Sequence, residues 1–197
     1  MHQARVQILL FDDVEVLDFA GPFEVFGVTG LRPGPAPFKV ETVGLSSAPI
    51  RARNGLQVQP TLAMRDAGPC DVLVVPGGYG TRREMHNEAV LDWIRGQAEK
   101  AKVVLSVCTG SLILARVGLL DGLDATTHHL AFDELAAASS STRVHRGRRI
   151  VDNGHVVTSA GISAGIDASL HVVARLLGHH VATETAEYME YDWREDA

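Results

Sequence analysis

Four apolar runs of strand length recur along the chain: "VQILLF" (6–11), "FKVETVGL" (38–45), "DVLVVPGG" (71–78) and "KVVLSVC" (102–108). Runs this rich in Val, Ile and Leu fit strands covered on both faces. Between them stand "EVLDFAGPFEVFGVTG", "TLAMRDAG" and "TRREMHNEAVLDWIRGQAEKA", which read as helical segments; in the last, Met85, Val90, Leu91, Ile94 and Ala98 approach helical spacing. Strand and helix in alternation predict βαβ units and a parallel sheet.

Two stretches break that alternation. "PIRARNGLQVQP" (49–60) sets two short extended pieces around Asn54-Gly55, a pair preferred in type I′ turns, and predicts a small hairpin. "TRVHRGRRIVDNGHVVTSA" (142–160) predicts a second one, with Asn153-Gly154 at its turn. "RPGPAPF" (32–38), with three prolines, reads as a surface loop before the second strand. Near the end, Ile162, Ile166, Leu170, Val173, Ala174 and Leu177 share one helical face, and Gly178 follows where a C-cap belongs. "HVATETAEYMEYDW" predicts a last helix. With no repeat or low-complexity linker, residues 1–197 read as a single domain.

A hydrophobic content of 46% in 197 residues is enough for a substantial core without a disulfide or metal. Eighteen basic against twenty-four acidic residues leave a net charge of −6, and the basic residues are scattered except at Arg146, Arg148 and Arg149. That balance speaks against a nucleic-acid partner. The cluster itself reads as a solvated hairpin, with anion binding as the alternative. No apolar stretch reaches the roughly 18 residues of a membrane span. The opening "MHQARVQILLF" ends its apolar run at Asp12 and Asp13, unlike a secretory leader, so a cytoplasmic protein without a membrane partner is expected. There Cys70 and Cys108 should remain reduced thiols. They show no CxxC or Cys/His metal spacing, and the adjacent pairs His128-His129 and His179-His180 point apart on regular structure; no metal or cofactor is expected.

The chemistry concentrates at "SVCTGS" (106–111). Cys108 closes the fourth apolar run, and small Gly110 and Ser111 permit a sharp strand-to-helix turn of the kind found at nucleophile elbows. In an open parallel sheet reactive groups gather beyond the carboxyl ends of the strands, and a following helix N-terminus would favour the thiolate. The alternative is a buried cysteine packing as a small hydrophobe. Cys70, after Gly68-Pro69 and before a strand, lacks this setting and reads as structural.

Four stretches, "LDFAGPFEVF" (17–26), "VVPGGYG" (74–80), "SVCTGSLILARVGLLDGLDATTHH" (106–129) and "AGISAGID" (160–167), resemble the ThiJ/PfpI superfamily and, within it, the isocyanide hydratase branch. The likeness runs over nearly the whole chain. It implies a flavodoxin-like three-layer α/β sandwich, related to the class I glutamine amidotransferases, with a mainly parallel sheet and a nucleophile elbow. It implies that Cys108 is the nucleophile, that Asp18 is the carboxyl group beside it, and that backbone N–H groups of Gly78 and Thr109 lie side by side in an oxyanion-hole-like position. His128 matches a histidine that many relatives carry near the nucleophile, and Ile162 joins Leu17 and Phe19 in an apolar wall around the acid. Read on their own, Asp18 also suits a helix N-cap, Gly77-Gly78 a tight βα turn, and His128 a structural hydrogen bond.

The implied reaction is cofactor-independent hydration of a small isocyanide to an N-formamide through a Cys108 thioimidate. Asp18 would be the general acid and base, its pKa raised by the thiolate and the apolar wall so that it is protonated in the resting enzyme near neutral pH. The sequence departs from other branches: Thr109 stands where peptidase-like members carry histidine, and no His-x-Glu lies near the carboxyl end as in amidotransferases. His129 stands where the hydratases commonly have tryptophan. Two other readings remain: a glyoxalase- or deglycase-like enzyme acting on reactive carbonyls, and a non-enzymatic stress-response or redox-sensing protein with an oxidisable Cys108. The "LDxxGPxEVF" and "CTGS" patterns also occur in AraC-type regulators ahead of a helix-turn-helix; this chain stops at Ala197 without one, and a freestanding protein is expected. Relatives are mostly homodimers, for which Phe23 and Phe26 would supply contact surface if they are not core.

Overall fold

The computed structural model describes residues 3–30 and 36–193. In chain order its elements are β1 (Ala4–Leu10), α1 (Val16–Val28), β2 (Phe38–Gly44), β3 (Ile50–Arg51), β4 (Gln57–Val58), β5 (Leu62–Ala63), β6 (Val72–Val75), α2 (Thr81–Glu84), α3 (Glu88–Ala98), β7 (Val103–Val107), α4 (Gly110–Val117), β8 (Asp124–Ala125), α5 (Phe132–Ala138), β9 (Arg143–Val144), β10 (Ile150–Asp152), β11 (Val156–Ser159), α6 (Ala164–Leu177) and α7 (His179–Tyr188).

Seven strands form the central sheet in the order β10-β11-β7-β6-β1-β2-β5. Every pairing is parallel except β10 with β11. Helices flank this sheet, giving the expected flavodoxin-like α/β architecture. The chain leaves β1 toward β2 and β5 on one side and then returns to β6 and β7 on the other. A switch in direction therefore falls between β1 and β6, where sheets of this kind open a crevice beyond their carboxyl ends. All four residues of β6 and all five of β7 are buried, as unbroken aliphatic runs require. Each fully buried Val, Leu or Ile contributes about 1.5–3 kcal/mol, so these two strands anchor whatever their ends carry.

Several predicted elements are redrawn. "TLAMRDAG" is not helical: Leu62–Ala63 adds an edge strand to β2, and Met64–Asp66 makes one 3-10 turn. Thr42 and Thr61 hold that edge through reciprocal N–H to hydroxyl bonds of 2.6 and 3.0 Å, stronger than any helix so short. The long helix predicted over 81–101 breaks into α2 and α3 around Met85–Asn87. The third and fourth strand runs stop at Val75 and Val107, leaving "PGG" and Cys108 as turns.

The first hairpin pairs β3 with β4, and both turn residues are left-handed, Asn54 at φ 62° and Gly55 at 91°. The second is shorter than expected: only β10 and β11 pair, while β9 lies parallel to β8. Before it, Arg146 is paired with Asp133, and Arg149 donates to Asp167 at 2.7 Å; two of the three clustered arginines are therefore engaged rather than merely solvated. Positions 32–35 of the proline-rich loop lie outside the described residues. Phe26 is core, fully buried, whereas Phe23 is 42% exposed, so one of the two phenylalanines offers contact surface. Both cysteines are free thiols. Among the described residues no helix is long and apolar enough to cross a membrane.

Candidate active site

Cys108 sits between β7 and α4 at φ 56°. A left-handed backbone costs an L-residue about 1–2 kcal/mol, and neighbouring bonds hold it there. Its N–H donates to the Ala160 carbonyl at 3.2 Å, and its own carbonyl accepts from the hydroxyls of Thr127 at 2.9 Å and Ser111 at 3.2 Å. A side chain at Gly110 would meet the Val75 carbonyl oxygen at 2.0 Å, so only glycine lets α4 start this close to β6. The elbow expected from "SVCTGS" is present.

Asp18 lies in the first turn of α1 and is completely buried. It does not cap: the N-cap position belongs to Glu15, without a side-chain cap. One carboxyl oxygen, Oδ2, accepts the Gly77 N–H at 3.0 Å, while Oδ1 has no conventional partner. The Cys108 thiol and the Ile162 N–H are near enough to favour the charged carboxylate. Burial raises Asp18 to about 7, the Cys108, Gly77 and Ile162 contacts resist that rise, and the Glu15 charge adds to it. Pro22, four residues on, has no N–H to offer the Asp18 carbonyl.

Burial works against the thiolate expected from the helix start. Burial first, and the Asp18 charge second, push Cys108 up to about 12, outweighing the N–H groups of Thr109 and Ile162 that favour the anion. Asp18 is raised as well. Its rise was expected; its main cause is burial rather than a neighbouring thiolate.

The anticipated side-by-side N–H pair is also altered. The Gly78 N–H donates to Thr109 Oγ1 at 3.0 Å and is not free, and that hydroxyl in turn contacts the Gly78 carbonyl at 3.2 Å. The N–H groups that face the sulfur are those of Thr109 and Ile162. Gly77 explains the close assembly, because a side chain there would lie 2.6 Å from Thr109 N and 2.8 Å from Asp18 Oδ2.

Ile162 does not begin the face of α6. It precedes that helix at φ 56°, a conformation strained for a β-branched residue, and this turn aims its N–H at both Asp18 and Cys108. His128 accepts the Leu130 N–H on Nδ1 at 3.3 Å, and burial lowers its pKa, which leaves a neutral ring. A side chain at Gly161 would strike its Cδ2 at 2.2 Å.

These groups share a cavity of about 190 Å³, whose lining includes Cys108, Gly78, Thr109, His128 and Ile162. Asp18 is fully buried and does not itself line the cavity, and neither do Leu17 and Phe19. Sequence reasoning missed Glu15, Arg53, Tyr79, Arg82, Leu130 and Ala131, which complete the walls. Of these, only Tyr79 stood within a motif already singled out, "VVPGGYG". Among the described residues no group of three or more His, Cys, Asp or Glu is arranged to hold a metal ion.

Residues 4–175 match the DJ-1/PfpI family. Over 187 residues the chain is 37% identical to the isonitrile hydratase of Pseudomonas putida, an alignment covering 95% of this chain and 78% of that protein. It is 28% identical over 194 residues to the HTH-type transcriptional regulator GbdR of Pseudomonas aeruginosa, covering 95% of this chain but only 50% of the regulator. A ThiJ/PfpI family protein from Pseudomonas syringae superposes with a TM-score of 0.87 at 31% identity, over 98% of this chain and 77% of that one. Drosophila melanogaster DJ-1beta does so with a TM-score of 0.84 at 20% identity, over 98% and 100%, a likeness of fold. The breadth of the family match, joined to the 37% identity maintained along nearly all of the chain, makes this protein a member of the DJ-1/PfpI family.

Proposed function

We propose that the cavity hydrates an isocyanide to an N-formamide, with Cys108 as nucleophile and Asp18 as the shared acid and base. The observation that carries this reading is a carboxyl group of pKa about 7 facing a neutral thiol that lines a cavity. The similarity to an isonitrile hydratase, isonitrile being another word for isocyanide, supports the choice of substrate.

The chemistry follows from the proton positions. Asp18 carboxylate takes the thiol proton as Sγ bonds to the terminal carbon of R–N≡C, and returns that proton to the same carbon. This gives the thioimidate R–N=CH–S–Cys108. Asp18, again a carboxylate, then removes a proton from water as the water oxygen adds to the carbon. Asp18 passes that proton to the imine nitrogen, and cleavage of the C–S bond, with the hydroxyl proton going to sulfur, releases R–NH–CHO and restores the thiol. The sum is R–NC plus water to the formamide, with no redox change. Thr109 and Ile162 N–H groups steady the sulfur while it carries charge, and His128 shapes the pocket as a neutral wall.

The test is to mix the purified chain with an aryl isocyanide and follow formamide by absorbance, with Cys108→Ala and Asp18→Asn alongside. Formation of formamide by the wild type and its loss in both variants is expected. A silent wild type, or an active Cys108→Ala, overturns the reading; Cys108-dependent lactate formation from methylglyoxal would move the assignment to reactive carbonyls.

A further inference from the structure

The hairpin formed by β3 and β4 has no part in the reaction just described, yet it ends at the cavity. It is stitched to the loop between β1 and α1: Asp13 N–H donates to the Arg51 carbonyl at 2.8 Å, Arg53 N–H to the Val14 carbonyl at 2.9 Å, and Arg51 N–H to Asp12 Oδ1 at 2.7 Å. That loop leads into the helix carrying Asp18. The left-handed Asn54 and Gly55 then turn the chain back, leaving Arg53 on the cavity wall.

The Arg53 guanidinium lies over the Tyr79 ring, 3.9 Å from its centroid. Arg53 is ion-paired with Glu15, Nε to Oε2 at 3.9 Å, a separation too long for a hydrogen bond. Among the described residues no hydrogen bond engages the Arg53 side-chain N–H groups. Arg82, the other cation on the wall, is engaged through all three nitrogens: it donates to both oxygens of Glu134 at 2.9 and 2.7 Å and to the Gly78 carbonyl at 3.3 Å. The cavity therefore holds one cation that is stacked and oriented while its donor edge is unclaimed.

We propose that Arg53 forms an anion subsite in this cavity and that the preferred substrate is a compact isocyanide bearing a carboxylate. The substrate part of this proposal rests on the hydratase reading above. A guanidinium presents paired N–H groups that match the two oxygens of a carboxylate, and its stacking on Tyr79 fixes the plane before a ligand arrives. Glu15 sits on the Nε side and leaves the terminal nitrogens for the substrate. Leu130 and Ile162 supply apolar surface for the carbon skeleton, and a volume of about 190 Å³ restricts the ligand to a short chain between the carboxylate and the isocyano group.

The experiment compares isocyanoacetate with its methyl ester as substrates of wild type, Arg53→Gln and Arg53→Lys. The expected result is a wild-type preference for the acid and a fall in the acid-to-ester ratio of kcat/KM of at least about tenfold in Arg53→Gln, read mainly in KM. Arg53→Lys, with one compact charge in place of the fork, should fall between them. An acid-to-ester ratio unmoved by Arg53→Gln overturns the proposal. Calorimetry of N-formylglycine and its methyl ester on Cys108→Ser protein provides a second arm independent of turnover. Tighter binding of the acid, lost on adding Arg53→Gln, supports the subsite even if no isocyanide is hydrated, in which case only the reaction assignment falls. Equal or absent binding of acid and ester overturns the subsite.

Discussion

The two cysteines are alike in every property of the thiol itself. Cys70 is 4% exposed and Cys108 5%. Burial pushes both up to about 12, and a neighbouring acid, Asp71 for one and Asp18 for the other, pushes in the same direction. The difference lies in their settings. Cys70 precedes β6, at the amino end of the sheet, and its N–H is held by Gln97 at 3.2 Å. Cys108 follows β7, at the carboxyl end, on a left-handed backbone that lines a cavity and faces an acid of pKa about 7. Burial therefore does not separate the two thiols. What separates them is an adjacent group able to exchange the proton, together with a route for a small molecule.

The largest expected effect breaks the pair apart. Cys108→Ala should reduce isocyanide hydration at least about 10³-fold, and Cys70→Ala should leave turnover close to wild type, measured as formamide appearance. Loss of activity in both, with both folded, would erase the distinction. Next, Asp18→Asn should lower kcat/KM by about 10²–10⁴-fold. Since the carboxylate form begins the reaction, the wild-type rate should rise with pH through about 7. A profile flat from pH 5 to 9 would place the proton exchange elsewhere.

The same acid has a signature in stability. Asp18 is raised from 3.8 to about 7, so the folded protein binds a proton that the unfolded chain releases. Its contribution is most favourable below the unfolded value and is lost as pH rises toward about 7, a change on the order of 4 kcal/mol. The melting temperature of Asp18→Asn relative to wild type should therefore increase between pH 5 and 8, and an unchanged difference would contradict the buried charge. A smaller effect is expected from Gly77→Ala, whose added carbon meets Thr109 and Asp18: a loss of about 1–3 kcal/mol in denaturant unfolding and a drop in turnover. The smallest is Cys70→Ala in stability, about 1 kcal/mol.

Much of this was legible in the sequence for physical reasons. Buried parallel strands leave long aliphatic runs, so β1, β2, β6 and β7 announce themselves, and the small residues after Cys108 mark the elbow. The edge strand at Leu62–Ala63 was hidden because its pairing is decided by Thr42 and Thr61 across the sheet rather than by local pattern. The role of Ile162 was legible as an apolar wall, not as an N–H donor, because periodicity assigns it to a helix face and says nothing of a left-handed turn. The Gly78 N–H was misassigned because a side-chain hydroxyl, that of Thr109, claims it first. Arg53 was invisible: its meeting with Tyr79 depends on the hairpin being tied to a loop from elsewhere in the chain.

The crowding around Gly77 has one more consequence. With its bare Cα wedged against Thr109 and Asp18, the acid, the elbow and the turn after β6 are locked into one rigid block, assembled when the chain folds. Above this close packing, the outer ring of side chains is the part of the cavity open to change. Tyr79 and Leu130, 63% and 78% exposed, can then be exchanged to retune what the pocket admits while the block beneath stays undisturbed.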